Sequence, residues 1–140
     1  MTKRSISLAI RSHQQPGRVL LVQRPDDDDD LPGAWGLPAA SLAGDESWED
    51  AARRAGREKL GVDLRIERLL REGELERTAY TLQMRLFEAT LAAGEPHVPQ
   101  AVTGVTQYQA WKWGTAAELR PAAEAGSLCS RLFLASGGKP

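Results

Sequence analysis

The stretch WGLPAASLAGDESWEDAARRAGREKLGVDL, from Trp35 to Leu64, constrains the fold most. It reads as strand, loop, helix, turn and strand. Ser47 is a good N-cap, and Asp50, three residues on, stands as a weaker form of the capping-box acid. Glu49 and Asp50 lie in the first turn, where the helix dipole favours acids; Arg57 and Lys59 lie in the last, where it favours bases. Gly61 falls where a left-handed residue closes a helix. The signals predict a helix over Trp48–Leu60, with a strand opening at Leu64 and Ile66. Trp48, Ala52 and Leu60 are expected to pack on a sheet, leaving Arg54 and Glu58 to face a cleft.

Before this stretch, Ser5–Arg11 alternates weakly, with Ile6, Leu8 and Ile10 on one face. Val19–Gln23 is an apolar run suited to a strand buried on both faces. With the Pro16-Gly17 turn between them, the two read as a hairpin. Asp26–Asp30 is a run of carboxylates that repel one another. It reads as a solvated loop, or as a cation-gathering loop beside a site.

After the helix, Gly73 reads as a break and Thr78–Leu91 as the clearest strand. Tyr80, Leu82, Met84 and Leu86 share one face; Phe87, Ala89 and Leu91 have the opposite parity. A bulge or face switch is therefore expected near Leu86. Ala92–Thr106 is a loop rich in Gly and Pro. Gln107–Trp113 is a strand with Trp111 and Trp113 on one face. Thr115 to Glu118 is a capping box opening a short helix ended by Pro121, and Ser127–Ser136 is a final helix stopped by Gly137 and Gly138.

This order gives an α+β (mixed α/β) chain with helices on a largely antiparallel sheet, expected as one domain over residues 1–140. The formal net charge is −1, so bulk attraction to nucleic acid or anionic membrane is not implied. The one cysteine, Cys129, lies among Leu128, Leu132 and Phe133 and reads as a buried thiol. The N-terminal apolar patch is too short for a signal peptide or a span, which makes a cytoplasmic location the expectation.

The central stretch resembles the signature of the Nudix (MutT-type) hydrolase superfamily, G-x5-E-x7-R-E-U-x-E-E-x-G-U, where U is bulky and aliphatic. Anchored on Gly61 and Val62, Glu46, Arg54 and Glu58 fall on the family's positions, and Trp35-Gly36-Leu37-Pro38 is similar to its lead-in. Ala39 and Ala40 stand for two glycines, Ala55 and Lys59 for two glutamates, and Gly56 for the aliphatic residue. The box is degenerate: its spacing is intact and two of its acids are gone. The resemblance implies a Nudix-type α/β/α sandwich with a mixed sheet between helices.

It also implies a reaction, the cleavage of nucleoside diphosphates linked to another group, with Mg²⁺ or Mn²⁺ as cofactor. By that resemblance Glu58 and Arg54 are the catalytic candidates and Glu58 and Glu46 the metal candidates. Only a weak metal site is expected, since hard dications take carboxylate oxygens. Lys59, Arg77, Tyr80 and Trp35 are the substrate-binding candidates. Each has a plainer reading: Arg54 and Glu58 as an i,i+4 surface pair, Glu46 as part of a tight loop, Lys59 and Arg77 as solvated, and the aromatics as core. A late acid that helps as base or ligand in many members is missing from Thr106–Trp111. Exchanging both Ala55 and Lys59 for Glu is expected to return metal binding at a propensity cost of a few tenths of a kcal/mol.

The sequence leaves two readings. One is a protein that handles a small nucleotide or nucleoside diphosphate derivative with Mg-dependent pyrophosphohydrolase activity reduced or lost. The other is a fully active divergent hydrolase that takes ligands or a base from outside the box. Oligomeric state is not legible.

Overall fold

The strand β1 (Thr2–Ile10) runs parallel to β6 (Thr81–Ala93), and this pairing organises the computed structural model, which describes residues 1–28, 31–98 and 108–137. The short β4 (Ala39–Ser41) pairs antiparallel to the other edge of β1. Beyond β6 lies the antiparallel β5 (Asp63–Glu76), giving a mixed sheet in the order β4-β1-β6-β5. A second sheet holds β3 (Trp35–Gly36), β2 (Val19–Gln23) and β7 (Ala110–Gly114) in the order β3-β2-β7.

The helix α1 (Trp48–Leu60) covers one face of the four-stranded sheet. The other is covered by a 3-10 turn (Ala116–Leu119), α2 (Arg120–Glu124) and α3 (Leu128–Ala135). This is the α/β/α sandwich that the resemblance implies. Each layer has its own core. Ile6, Leu8, Ile10, Leu20 and Phe87 pack on the α1 side. Leu21, Leu86, Leu119, Leu132 and Phe133 pack on the α3 side.

Those two cores explain the parity change in β6. Leu82, Met84 and Leu86 belong to the α3 side, Phe87, Ala89 and Leu91 to the α1 side. Apolar character switches face at Leu86 and Phe87 while β6 keeps an unbroken register with β1 from Thr81 to Ala89. The irregularity at the switch lies in the partner strand β5, between Leu69 and Arg71 opposite Phe87 and Leu86, and the ladder also shifts between Ile66 and Arg68 and between Asp63 and Leu64.

Four expectations about the elements are corrected. β1 and β2 form no hairpin ladder; they lie in different sheets, joined by the single bridge Arg11 to Val19. Both edges of β1 are taken, by β4 and β6, so β2 has no edge left to extend along. Gly73 does not break β5. A Cβ there would lie 2.8 Å from Leu132 Cδ2, so the glycine admits α3 to the strand. Because β5 continues to Glu76, Arg77–Tyr80 becomes the turn into β6, closed by the Arg77 N–H donating to the Tyr80 carbonyl at 2.8 Å. Pro121 opens α2 at its first turn rather than ending a helix, as a residue without an N–H can.

The expectations for Asp29 and Asp30, residues 99–107 and residues 138–140 lie outside the described residues.

α1 has the predicted bounds. Ser47 Oγ accepts from the Asp50 N–H at 3.1 Å, and Gly61 closes the helix at φ 65°. Asp50 turns its carboxylate to Arg53 instead of completing the capping box. Gly56 stands mid-helix because Leu64 fills the space beside it: a Cβ there would lie 2.7 Å from Leu64 Cδ1. Glycine costs about 1 kcal/mol of helix propensity against alanine. Gly56→Ala is nonetheless expected to destabilise the fold by about 1–2 kcal/mol, through overpacking against Leu64. Urea denaturation measures this, and a gain in stability would mean that Leu64 yields freely.

Candidate functional site

Arg54 is the hub of the region where α1 meets the preceding loop. Its Nε and Nη2 donate to the two Glu46 carboxylate oxygens at 2.9 and 3.0 Å. Nη1 donates to Glu58 at 2.8 Å, and Nη2 also reaches the Ser41 carbonyl at 2.7 Å. Glu46 in turn accepts from the Ala43 N–H at 3.1 Å. Its pKa is held below the usual carboxylate value, first by the Arg54 hydrogen bonds. The Arg54 pKa is raised, chiefly by Glu46.

One guanidinium thus fastens the loop, the start of the site and the last turn of α1. Arg54→Ala is expected to cost about 1–3 kcal/mol, since it strands a hydrogen-bonded carboxylate. Arg54→Lys should recover little of this, because one ammonium cannot serve Glu46, Glu58 and Ser41 together. Equal stability of all three proteins in thermal melts would show that the loop is held by other means.

Ala55 does not flank a cleft, and Lys59 presents only its tip to solvent. Ala55 is fully buried in the α1-side core, and Lys59 is only 8% exposed. Ala51, Ala52, Ala55 and Lys59 are all on the buried face of α1. The plainer reading of Lys59, a solvated side chain, is therefore corrected. Its Nζ sits 5.2 Å from the Tyr108 ring centroid. Burial pushes its pKa down to about 8; Glu58 acts in the opposite direction, while Arg24 and Arg54 add to the depression.

Tyr108 is itself buried, and burial pushes its pKa up to about 12. Its hydroxyl accepts from the Ala39 N–H at 3.1 Å and donates to the Ala39 carbonyl at 3.4 Å. Ala39 and Ala40 lie in β4, and no described non-glycine residue has positive φ. The backbone here is extended and has no need of glycine. Arg24, just after β2, donates to Asp28 at 3.0 Å, and Gln109 donates to Asp26 at 3.2 Å. The described part of the aspartate run is thereby folded back onto the site. Sequence reading passed over Arg24; its only signal was a basic residue four positions before Asp28.

The remaining candidates sit elsewhere. Trp35, on β3, lies under the Lys112 ammonium at 4.2 Å and borders an open groove of about 370 Å³ with Leu31, Pro32 and Glu118. Tyr80 packs under Lys3 at 4.2 Å, and Arg77 is exposed in the same turn. Neither has a hydrogen bond, ion pair or ring contact with Arg54, Glu58 or Lys59 among the described residues. Arg85 stacks on Trp48 at 4.5 Å and donates to Glu72. Trp111 and Trp113 meet edge to face, with centroids 5.9 Å apart.

A divalent ion fits this donor set poorly. Among the described residues no three His, Cys, Asp or Glu side chains converge as metal ligands. Glu46 and Glu58 come together, but with Arg54 between them. Lys59 places a further cation beside Glu58. A hard dication needs several free oxygens, and here both Glu46 oxygens and one of the two Glu58 oxygens are committed to a guanidinium.

The sequence profile of the NUDIX domain matches residues 1–131. Comparison with curated proteins gives no match. Among solved structures the chain is similar to a NUDIX hydrolase from Nitrosomonas europaea (TM-score 0.76, 16% identity, covering 99% of this chain and 92% of that one). It is similar to a MutT NUDIX hydrolase from Burkholderia pseudomallei (TM-score 0.64, 25% identity, 91% and 99%). It is also similar to an ADP-ribose pyrophosphatase from Streptococcus suis (TM-score 0.68, 20% identity, 96% and 90%). With the profile spanning nearly all of the chain and the sandwich shared with these structures, the protein belongs to the Nudix family.

Proposed function

We propose that this Nudix protein handles a nucleoside diphosphate-linked small molecule beside the C-terminal half of α1, with Mg-dependent pyrophosphohydrolysis reduced or lost. The reading takes residues 1–140 as one domain acting in the cytoplasm without a nucleic-acid partner. No described helix is long and apolar enough to cross a membrane. The observation that carries the reading is the fate of two box positions. Ala55 is sealed in the core and Lys59 brings an ammonium, so Glu58 is the one box acid left on the helix, and Arg54 holds it.

Glu58 and Arg54 are the groups in position to touch substrate, Glu46 supports them through Arg54, and Trp35 is available to stack a base at the separate groove it borders. A divalent ion, when bound, supplies charge neutralisation to a diphosphate. Mg²⁺ or Mn²⁺ is expected to bind the free protein weakly, which calorimetry checks; tight stoichiometric binding would contradict it.

The test is a panel of nucleoside di- and triphosphates, dinucleoside polyphosphates and nucleotide sugars, assayed with Mg²⁺ and Mn²⁺ for turnover and thermal shift. Thermal shift with little or no turnover supports the reading. Brisk turnover would favour a divergent active hydrolase drawing ligands from elsewhere. The folding of Asp26 and Asp28 onto Gln109 and Arg24 is what such a hydrolase would use.

A further inference from the structure

The acids around Lys59 are each held by another group. Glu46 is gripped at both oxygens by Arg54, Glu58 is bonded to Arg54, and Asp28 is bonded to Arg24. Lys59, more than nine-tenths buried, has only the face of Tyr108 within reach and no carboxylate within 4.0 Å among the described residues. An ammonium largely withdrawn from water and left without an anion is costly, and the Lys59 Nζ keeps the solvent contact through which an anion from outside the chain can reach it. The side chain is also enclosed: Lys59 is on the buried face of α1, and Tyr108 is fixed by two hydrogen bonds to Ala39.

We propose that the Lys59 ammonium, with Arg24, which lines a small cavity together with the Tyr108 that Lys59 overlies, holds the ligand's diphosphate directly, in the role for which the family resemblance would require a divalent cation. This rests on the reading above and deepens it: the ligand class is a diphosphate and its binding needs no metal. A lysine serves as a compact point charge toward phosphate oxygens, and Arg24 adds a planar donor set. Glu58, next to Lys59 on the helix and 40% exposed at its side chain, limits how much negative charge the site accepts. That disfavours longer polyphosphates.

The experiment is isothermal titration in EDTA with inorganic pyrophosphate, with ADP and, as a simple anion, with sulfate. Pyrophosphate and ADP are expected to bind the parent protein in EDTA, with no requirement for added Mg²⁺, and sulfate to bind much more weakly. Lys59→Met, which keeps the stem and removes the charge, is expected to weaken both at least about tenfold, as loss of a desolvated charge contact does. Arg65→Met, an exposed change on β5, should bind as the parent does. If the Met variant does not melt cooperatively, Lys59→Gln takes its place. Binding only in the presence of Mg²⁺, unchanged binding by the Lys59 variant, or sulfate binding as tightly as pyrophosphate would each overturn the direct contact. The first two of these leave the nucleoside diphosphate reading standing. Absence of any binding of ADP, with and without Mg²⁺, would remove that reading together with this one.

Discussion

Lys59→Met should make the folded protein more stable at pH 7 by on the order of 3 kcal/mol. The source is the penalty on a buried ammonium. Its pKa falls from the usual 10.5 to about 8, and that gap corresponds to roughly 3 kcal/mol charged against the ionised form. Methionine fills the same channel with a flexible apolar chain and has no charge to desolvate.

The sign of the pH dependence is fixed by the direction of the shift. Below about pH 8 the lysine is protonated in both folded and unfolded chains, so the penalty is present in full. Between about 8 and 10.5 the unfolded chain still binds a proton that the folded chain has released. Stability therefore rises with pH through that window. The parent should approach the Met variant as pH climbs from 7 to about 10, and the difference between the two cancels other titrating groups. Tyr108, whose pKa moves up, is one of these. Urea denaturation in EDTA at pH 7 and 9.5 measures it. A Met variant less stable than the parent at pH 7 would show that the ammonium has a compensating partner. A stabilised variant that no longer binds pyrophosphate would instead mark Lys59 as a residue kept for function at a cost in stability.

The parts of the fold that local chemistry dictates were legible in the sequence. Ser47 and Gly61 give the limits of α1 because an N-cap oxygen and a left-handed glycine act within a few residues. The burial of β2 on both faces, the Trp111 and Trp113 pair and the buried Cys129 follow from short patterns in the same way. What local chemistry does not carry is which edges are already occupied. The hairpin expectation failed because β6, far along the chain, takes the edge of β1. Gly73 was misread because Leu132, distant in sequence, is what needs the space.

The site divides along the same line. The link of Arg54 to Glu58 is an i,i+4 contact and its link to Glu46 falls at the family's spacing, so both could be read before the structure was seen. The burial of Ala55 and Lys59 depends on where β1, β4 and β5 press on α1, which helical periodicity alone leaves open by one or two positions. Arg24 enters only through the return of the aspartate segment onto the site.

Ala55→Glu is expected to destabilise the protein by about 3–5 kcal/mol, and not to return a metal site at the small propensity cost that the sequence suggested. Ala55 is 0% exposed, packed in the α1-side core with Ile6, Leu8 and Leu64. A glutamate there adds volume to a filled space, which costs about 1–3 kcal/mol, and it buries a carboxylate, which costs several more unless paired. Lys59, one turn on, is the only cation on the same buried stripe of α1, and it should offset part of the charge term. Ala55→Gln carries the volume without the charge and should be less damaging. Ala55→Glu in the Lys59→Met background should be worse than the sum of its parts by about 0.5–3 kcal/mol, the coupling expected of neighbours in contact. Replacing both Ala55 and Lys59 by Glu puts two carboxylates on that stripe with no cation, and should leave the least stable protein of the set. Thermal melts of the series with and without Mg²⁺ decide the matter. If Ala55→Glu melts within a few degrees of the parent and Mg²⁺ raises its midpoint, position 55 faces the cleft, the burial of this helix face is wrong, and the metal-free site drawn around Lys59 goes with it.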